Sequence, residues 1–177
     1  MATRDASSTT SKRFLRIVIP VLFLGVLTDQ ASKSWAFLRP AEPRILVPGY
    51  LAAYSVPNGG SILGLGSDQA QTSRVFAFLG IACATLLVRI AYVDRTRWRG
   101  ADFLAGTLLV AGIFGNTLDR LALGHVRDFL VTWAIPTLVF NVADLLVVVG
   151  VVSLLMARCC GCWRSRSDFG LAGPAAA

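Results

Sequence analysis

The stretch ADFLAGTLLVAGIFGNTLDRLALG, residues 101–124, decides how this sequence folds. Its apolar part is long enough for an α-helix to cross the hydrocarbon core of a bilayer, which takes about 20 residues. Near its end, however, the stretch carries Asn116, Asp119 and Arg120. An ionised side chain in hydrocarbon costs about 2.5–3.5 kcal/mol even on the scale derived from membrane insertion. The sequence therefore predicts a membrane helix whose polar residues serve a function.

The composition and the other apolar runs also indicate a membrane protein. Hydrophobic residues make up 55% of the 177 residues and charged residues only 15%, whereas a soluble domain has about 25% charged residues. Further apolar runs cover residues 14–38, 72–93 and a region from 135 or 139 to 157. The first run is longer than the core of a cleavable signal peptide, so it is interpreted as a retained helix. We therefore expect four transmembrane helices.

Basic residues cluster at one end of these runs and predict their orientation. The net charge of the chain is +7. Basic loops stay on the cytoplasmic side of a membrane, so both termini are expected in the cytoplasm. Nucleic-acid binding is disfavoured because the basic residues do not share one folded face. The clusters are Arg4, Lys12, Arg13 and Arg16 before the first run, Arg95, Arg97 and Arg99 between the second and third, and Arg158, Arg164 and Arg166 after the fourth.

The remaining segments are expected at the two ends of the bundle. Residues 1–12 are polar and rich in Ser and Thr, and are interpreted as a disordered cytoplasmic tail. Residues 13–157 form the predicted transmembrane domain and residues 158–177 a second cytoplasmic tail. Two outer segments, at about 39–71 and 124–134, have patterns typical of short strands. The expected fold is an all-α membrane protein of four transmembrane helices with a small strand-rich extracytoplasmic cap.

Three cysteines follow the last apolar run. Cys159, Cys160 and Cys162 form the sequence CCGC. A zinc site would need further ligands, and no second ligand pair is visible in the sequence. The cysteines are therefore interpreted as reduced thiols at the membrane edge, and neither a metal nor a cofactor is expected.

The third and fourth runs share the pattern Asn-x-x-Asp, as NTLD at 116–119 and NVAD at 141–144. Residues three apart lie on one helix face, so each helix would present an amide and a carboxyl to the same side. Counting helical rise from the outer loop places Asp119 and Asp144 at similar depth. Two adjacent carboxyls do not both ionise, so such a pair shares a proton. It can hydrolyse a peptide bond by direct water attack without a metal.

Five motifs in order resemble those of the lipoprotein signal peptidases, the signal peptidase II family of bacterial inner-membrane aspartyl proteases. The resemblance implies an endopeptidase that removes signal peptides from diacylglyceryl-modified prolipoproteins by cleaving just before the lipidated cysteine. It also implies an active site near the outer face of the bacterial inner membrane. The motifs are DQASK at 29–33, VPGYLAAYSVPNGG at 47–60, GNTLDR at 115–120, GHVRDF at 124–129 and FNVAD at 140–144.

The resemblance also implies roles for single residues. Asp119 and Asp144 are expected to be the catalytic dyad. Asp29 and Lys33 are expected to support the outer cap and not to act in catalysis. Where the family continues its N-x-G motif with A-A-F, this chain has Ser61-Ile62-Leu63, which changes the expected pocket shape and leaves the dyad untouched. The residues expected around the substrate are Asn58, Gly60, Asn116, Arg120, Asn141 and Ala143.

A second class of function is a small proton-coupled transporter or channel subunit, because intramembrane Asp and Arg residues also mark ion pathways. Four spans are few for a transporter, and no inverted repeat is visible. An inactive scaffold is disfavoured by the two intact Asn-x-x-Asp units. The expected partners are diacylglyceryl-modified prolipoproteins and membrane lipid, with a monomeric chain and no nucleic acid.

Overall fold

Four long helices dominate the computed structural model, which describes residues 3–38, 42–59, 69–133 and 138–169. Each helix contains a span that is long and apolar enough to cross a membrane, namely Arg16–Phe37, Gln71–Val93, Gly100–Leu123 and Val142–Cys159. The prediction of four membrane-spanning helices is therefore confirmed. The helices are α1 (Thr3–Phe37), α2 (Gln69–Val93), α3 (Gly100–Leu123) and α4 (Val142–Phe169).

Helix α3 lies at the centre of the bundle and packs against the other three helices. Glycines make this position possible. A Cβ at Gly112 would overlap the backbone of Ala143 in α4, and one at Gly115 would overlap the carboxylate of Asp29 in α1. Such close approach through small residues is typical of helix association in membranes, where lipid is as apolar as the helix surface. The packing brings α1 and α4 within reach of the polar residues of α3.

Four strands form the predicted cap. They are β1 (Arg44–Val47), β2 (Leu51–Asn58), β3 (Val126–Thr132) and β4 (Val139–Phe140), and they pair as an antiparallel sheet in that order. Gly49, in the turn between β1 and β2, has a φ of 76°, a value that glycine adopts without steric cost. Because β3 follows α3 and β4 precedes α4, the sheet is joined to the helix ends that carry the Asn-x-x-Asp units.

The helix ends differ from the sequence prediction in three places. Residues 3–12, predicted to be a disordered tail, are helical, and α4 continues beyond residue 157 to Phe169. Extending an existing helix needs no new nucleus, and neither extension contains proline. Helix α4 begins only at Val142, because Val139 and Phe140 pair with β3. Asp144 therefore lies in the first turn of α4 and not deeper in the span.

Candidate active site

The polar residues of the sequence motifs meet at the cap end of the bundle, where α1, α3, β2, β3 and the start of α4 converge. They form two adjoining groups. The ion-pair cluster contains Asp29, Gln30, Lys33, Asp119 and Arg127. The asparagine cluster contains Asn58, Asn116, Asp128, Asn141 and Asp144.

Asp119 lies in the ion-pair cluster, where both of its carboxylate oxygens accept hydrogen bonds. Its Oδ1 accepts from Gln30 Nε2 at 3.1 Å and from Arg127 Nη2 at 2.8 Å. Its Oδ2 accepts from the backbone N–H of Arg127 at 3.0 Å and from Nε of the same residue at 3.3 Å, and Lys33 Nζ lies 3.3 Å away. Only 1% of Asp119 is exposed. A buried carboxylate with two cationic partners is held in its charged form, which does not suit a group that exchanges protons with a substrate.

Asp29 and Lys33 belong to the same cluster and are completely buried. Lys33 Nζ lies 2.8 Å from Asp29 Oδ2, the i, i+4 pair that their spacing suggested. Asp29 Oδ1 accepts the backbone N–H of Ala143 at 2.8 Å, and Lys33 donates to Asn116 Oδ1 at 3.0 Å. The pair therefore ties α1 to α3 and α4 inside the bundle, whereas the sequence interpretation assigned it to the support of the outer cap.

Asp144 and Asn141 form a reciprocal cap at the start of α4. The backbone N–H of Asp144 donates to Asn141 Oδ1 at 3.0 Å, and the backbone N–H of Asn141 donates to Asp144 Oδ2 at 3.1 Å. This is the arrangement of a capping box, which requires a spacing of three residues. The NTLD unit of α3 has the same spacing but forms no cap. Asn116 and Asp119 are buried residues on one face of a continuous helix. The shared pattern therefore does not imply shared geometry.

Asp128 supplies the second carboxyl of the asparagine cluster, from β3. It is 2% exposed, and it accepts hydrogen bonds from Nδ2 of Asn58 at 2.7 Å and from Nδ2 of Asn141. Burial raises the pKa of Asp128, and the charge of Asp144 raises it further. The amide donors and Lys33 oppose this rise, and the resulting pKa is about 6. Asp128 therefore keeps its proton much closer to neutral pH than an ordinary aspartate does.

The structure thus places Asp144 beside Asp128, and it sets Asp119 apart. Asn141 contacts both Asp128 and Asp144, and Asn116 Nδ2 donates to Asp144 Oδ1 at 2.7 Å. In the described part of the chain, the groups that donate to these two carboxyls are neutral amides, while Asp119 is bound by a lysine and an arginine. These contacts do not fit the predicted pairing of Asp119 with Asp144 through a shared proton.

Asp128 lies within the GHVRDF motif, but the sequence analysis did not predict it as a site residue. The signal was available in the strand pattern. Residues two apart on a strand face the same side, and Asp128 follows the apolar Val126 by two positions. Both residues are buried. An acidic residue on the inward face of a strand is therefore the feature that would have identified it.

The other predicted residues lie around the same clusters. Ala143 is fully buried. The guanidinium of Arg120 lies 5.6 Å from the centre of the Phe76 ring and interacts electrostatically with the nearby aspartates, Asp144 first among them. Its Nε is buried and has no hydrogen-bond partner among the described residues. Gly60 and the segment Ser61-Ile62-Leu63 lie outside the described residues.

Comparisons with known proteins find relatives over most of the chain. Residues 21–160 match the family model described as signal peptidase (SPase) II. A lipoprotein signal peptidase of Trichormus variabilis is 33% identical over 76% of this chain and 84% of its own length. A lipoprotein signal peptidase of Lactococcus lactis subsp. cremoris is 30% identical over 82% of this chain and 94% of its own length.

A solved structure supports the same relationship. It is described as a bacterial membrane enzyme determined by the in meso method at 1.9 Å resolution. It superposes with a TM-score of 0.71 and 26% identity, and the match covers 81% of this chain and 93% of the other.

Proposed function

Since this chain belongs to the signal peptidase II family, we propose that it removes signal peptides from diacylglyceryl-modified prolipoproteins by cleaving just before the lipidated cysteine. Membership of this family makes the chain a multi-pass membrane protein and an aspartic endopeptidase. The transporter or channel considered from the sequence has no support in the comparisons. The observation that carries the mechanism is the pair of carboxyls, Asp128 and Asp144, joined through Asn141.

We propose Asp128 and Asp144 as the catalytic pair, in place of Asp119 and Asp144. Asp144 is only half-buried, so water and substrate can reach it, whereas Asp119 is enclosed by Lys33 and Arg127. Two carboxyls joined through Asn141 can act together, one giving a proton while the other accepts one. Asp119 then supports the site indirectly, by pairing with Lys33 and Arg127.

The surroundings of the two carboxyls assign their roles. Asp128 has a pKa of about 6 because it is buried, which suits a general acid. Asp144 lies in the first turn of α4, where the helix dipole favours a negative charge. Its two oxygens also accept bonds from Asn116 and from the backbone of Asn141. Asp144 is therefore the general base of the resting pair.

The reaction follows from these roles. Asp144 takes a proton from water as the water oxygen attacks the scissile carbonyl carbon, and Asp128 gives its proton to the carbonyl oxygen. The resulting tetrahedral diol collapses when the carbon–nitrogen bond breaks. Asp144 then protonates the leaving nitrogen, and Asp128 takes back the hydroxyl proton, so the pair returns to its starting state. No covalent enzyme intermediate forms in this sequence of steps.

Arg120 and the asparagines complete the proposed site. The Nε of Arg120, which has no hydrogen-bond partner in the part of the chain that the structure describes, is available to a substrate carbonyl or a lipid ester. Asn58, at the end of β2, holds Asp128 from the cap side. Asn116 and Asn141 hold Asp144 from the helix side. Gly60 is included in the proposed site only because of its position in the sequence motif at 47–60.

We propose further that the site lies near the outer face of the bacterial inner membrane and that both termini are cytoplasmic. The positions of the charged residues support this orientation. The cap and both clusters lie at one end of the spans, and the basic residues Arg95, Arg97 and Arg99 lie at the other. Basic loops remain on the cytoplasmic side. A lipid-anchored substrate would then reach the site laterally from the bilayer, and a single chain contains all of the proposed residues.

The test is cleavage of a diacylglyceryl-modified precursor by the purified protein in lipid, in the presence of a chelator. Wild type should release the signal peptide, and Asp128→Asn and Asp144→Asn should each leave the precursor intact. The matched control is Asp94→Asn, which alters an aspartate in the loop after α2. Full cleavage by either of the two site variants would refute the assignment of the pair.

A further inference from the structure

We propose that Arg127 is a positioning residue that fixes the reactive carboxyl of Asp128. The two are neighbours in the chain, and the inference rests on the proposed catalytic role of Asp128. Arg127 lies between Val126 and Asp128 on β3, so its side chain points to the strand face opposite the catalytic carboxyl. We therefore do not expect Arg127 to contact the substrate, and its role is inferred from its contacts within the protein.

Arg127 uses its backbone and its whole guanidinium to bind α1 and α3. Its backbone N–H, Nε and Nη2 donate to the carboxylate of Asp119, at 3.0, 3.3 and 2.8 Å. Nη2 also donates to Gln30 Oε1 at 2.7 Å, and Nη1 donates to Ser34 Oγ at 3.2 Å. The side chain is 16% exposed. A planar guanidinium held at several points fixes both the position and the orientation of the backbone that carries it.

The opposite face of the strand carries Asp128. Successive strand residues point to opposite faces, so Arg127 reaches into the ion-pair cluster while Asp128 reaches Asn58 and Asn141. Strand β3 is thus held between the two clusters. Because Asp119 binds the backbone N–H of Arg127 as well as its side chain, a shift of the β3 backbone at this position would break both contacts. We call these contacts of Arg127 with Asp119, Gln30 and Ser34 the clamp. The clamp fixes the position of the Asp128 carboxyl relative to Asp144 on α4.

This clamp gives Asp119 a function other than proton transfer. Asp119 is the fixed point on α3 to which β3 is attached, and Lys33 of α1 supplies the second cation that the buried carboxylate needs. A displacement of about 1 Å at a catalytic group can cost about 100-fold in rate. Loss of the clamp is therefore expected to appear in kcat more than in KM.

The experiment compares Arg127→Met, Arg127→Lys and the control Arg44→Met in lipid, with a diacylglyceryl-modified precursor. Arg44 is an exposed arginine on β1 of the same sheet. Rates are referred to the folded fraction of each preparation. We expect Arg127→Met to lower kcat by about 10- to 100-fold with KM within about twofold of wild type. We expect Arg127→Lys to recover part of the loss, because an ammonium can pair with Asp119 but cannot bind Gln30 and Ser34 in the same geometry. Arg44→Met should match wild type.

The outcomes separate this inference from the proposed function. A wild-type kcat for Arg127→Met, together with a lower melting temperature, would make Arg127 a structural anchor only and overturn the inference, even if Asp128→Asn and Asp144→Asn are inactive. Cleavage by Asp128→Asn would instead overturn the proposed function. If Arg127→Met does not fold, Arg127→Lys and Ser34→Ala decide the matter, and wild-type kcat for both would contradict the clamp.

Discussion

Asn substitutions at Asp119 and Asp128 are predicted to change the stability of the protein in different directions. Asp119 is 1% exposed and is paired with Lys33 and Arg127. Asp119→Asn leaves Arg127 without its carboxylate and leaves Lys33 paired with Asp29 alone. Breaking a buried ion pair by removing one partner costs about 3–5 kcal/mol. The free energy of unfolding of this variant should therefore fall by about that amount.

Asp128→Asn should have little cost and can stabilise the fold. The folded protein holds the Asp128 proton more tightly than the unfolded chain does, because the pKa rises from 3.8 to about 6. The stability that this group contributes is present below about pH 4, and it is lost as the pH rises through about 6. At neutral pH, the charged Asp128 carboxyl therefore costs the folded state about 3 kcal/mol.

Asparagine avoids the cost of the buried charge but loses part of the hydrogen bonding. Its amide nitrogen would face one of the two donors, Asn58 or Asn141. An unsatisfied buried group of this kind costs about 1–3 kcal/mol. The net expectation at about pH 7.5 is therefore a change between zero and roughly 2 kcal/mol in favour of the folded state.

The assay is equilibrium unfolding in mixed detergent micelles, followed by tryptophan fluorescence at about pH 5 and about pH 7.5. Asp128→Asn should gain stability relative to wild type at the higher pH, where the wild-type carboxyl is charged. Equal losses of several kcal/mol for both variants would refute the distinction drawn between the two carboxyls. An Asp119→Asn variant that is as stable as wild type but inactive would return Asp119 to the catalytic pair.

The pH profile of kcat/KM should decline above about pH 6 as Asp128 loses its proton, and a profile that is flat from about pH 5 to about pH 8 would contradict the role of this acid. Asn141→Ala should cost about 1 kcal/mol of stability through the lost helix cap, and it should reduce cleavage because Asp128 loses the amide donor of Asn141 and the backbone N–H of Asp144 loses its acceptor; thermal unfolding and precursor cleavage measure the two effects. Gly112→Ala should destabilise the protein by about 1–3 kcal/mol because its Cβ would overlap Ala143. Gly100→Ala, where nothing lies within 4 Å of the added Cβ, is the matched control in thermal unfolding.

The membrane fold was predictable because its physical cause is visible in the sequence. Hydrocarbon selects long apolar runs, and the four spans follow them. The cap was predictable from the strand-like segments between the spans. The start of α4 was not, because Val139 and Phe140 continue the apolar run of the helix although they pair with β3. An apolar run alone does not distinguish a short buried strand from the start of a helix.

The proposed pair of Asp128 and Asp144 was only half predictable. Asp144 could be found from its pattern, but the same pattern led to Asp119, because a three-residue spacing arises both from a helix cap and from one face of a continuous helix. The contacts that separate Asp119 from Asp128 come from Lys33 on α1 and Asn58 on β2. Such long-range partners are determined by tertiary packing, and the local sequence around each aspartate does not indicate them.

The most direct measurement is a crystal structure of the protein with a lipopeptide that carries a hydroxyl-bearing tetrahedral carbon in place of the scissile carbonyl. Such a group mimics the diol of the transition state, for which the site should be complementary. We predict that the hydroxyl lies within hydrogen-bond distance of both Asp128 and Asp144. A hydroxyl that contacts Asp119, or one beyond the reach of Asp128, would contradict the proposed pair.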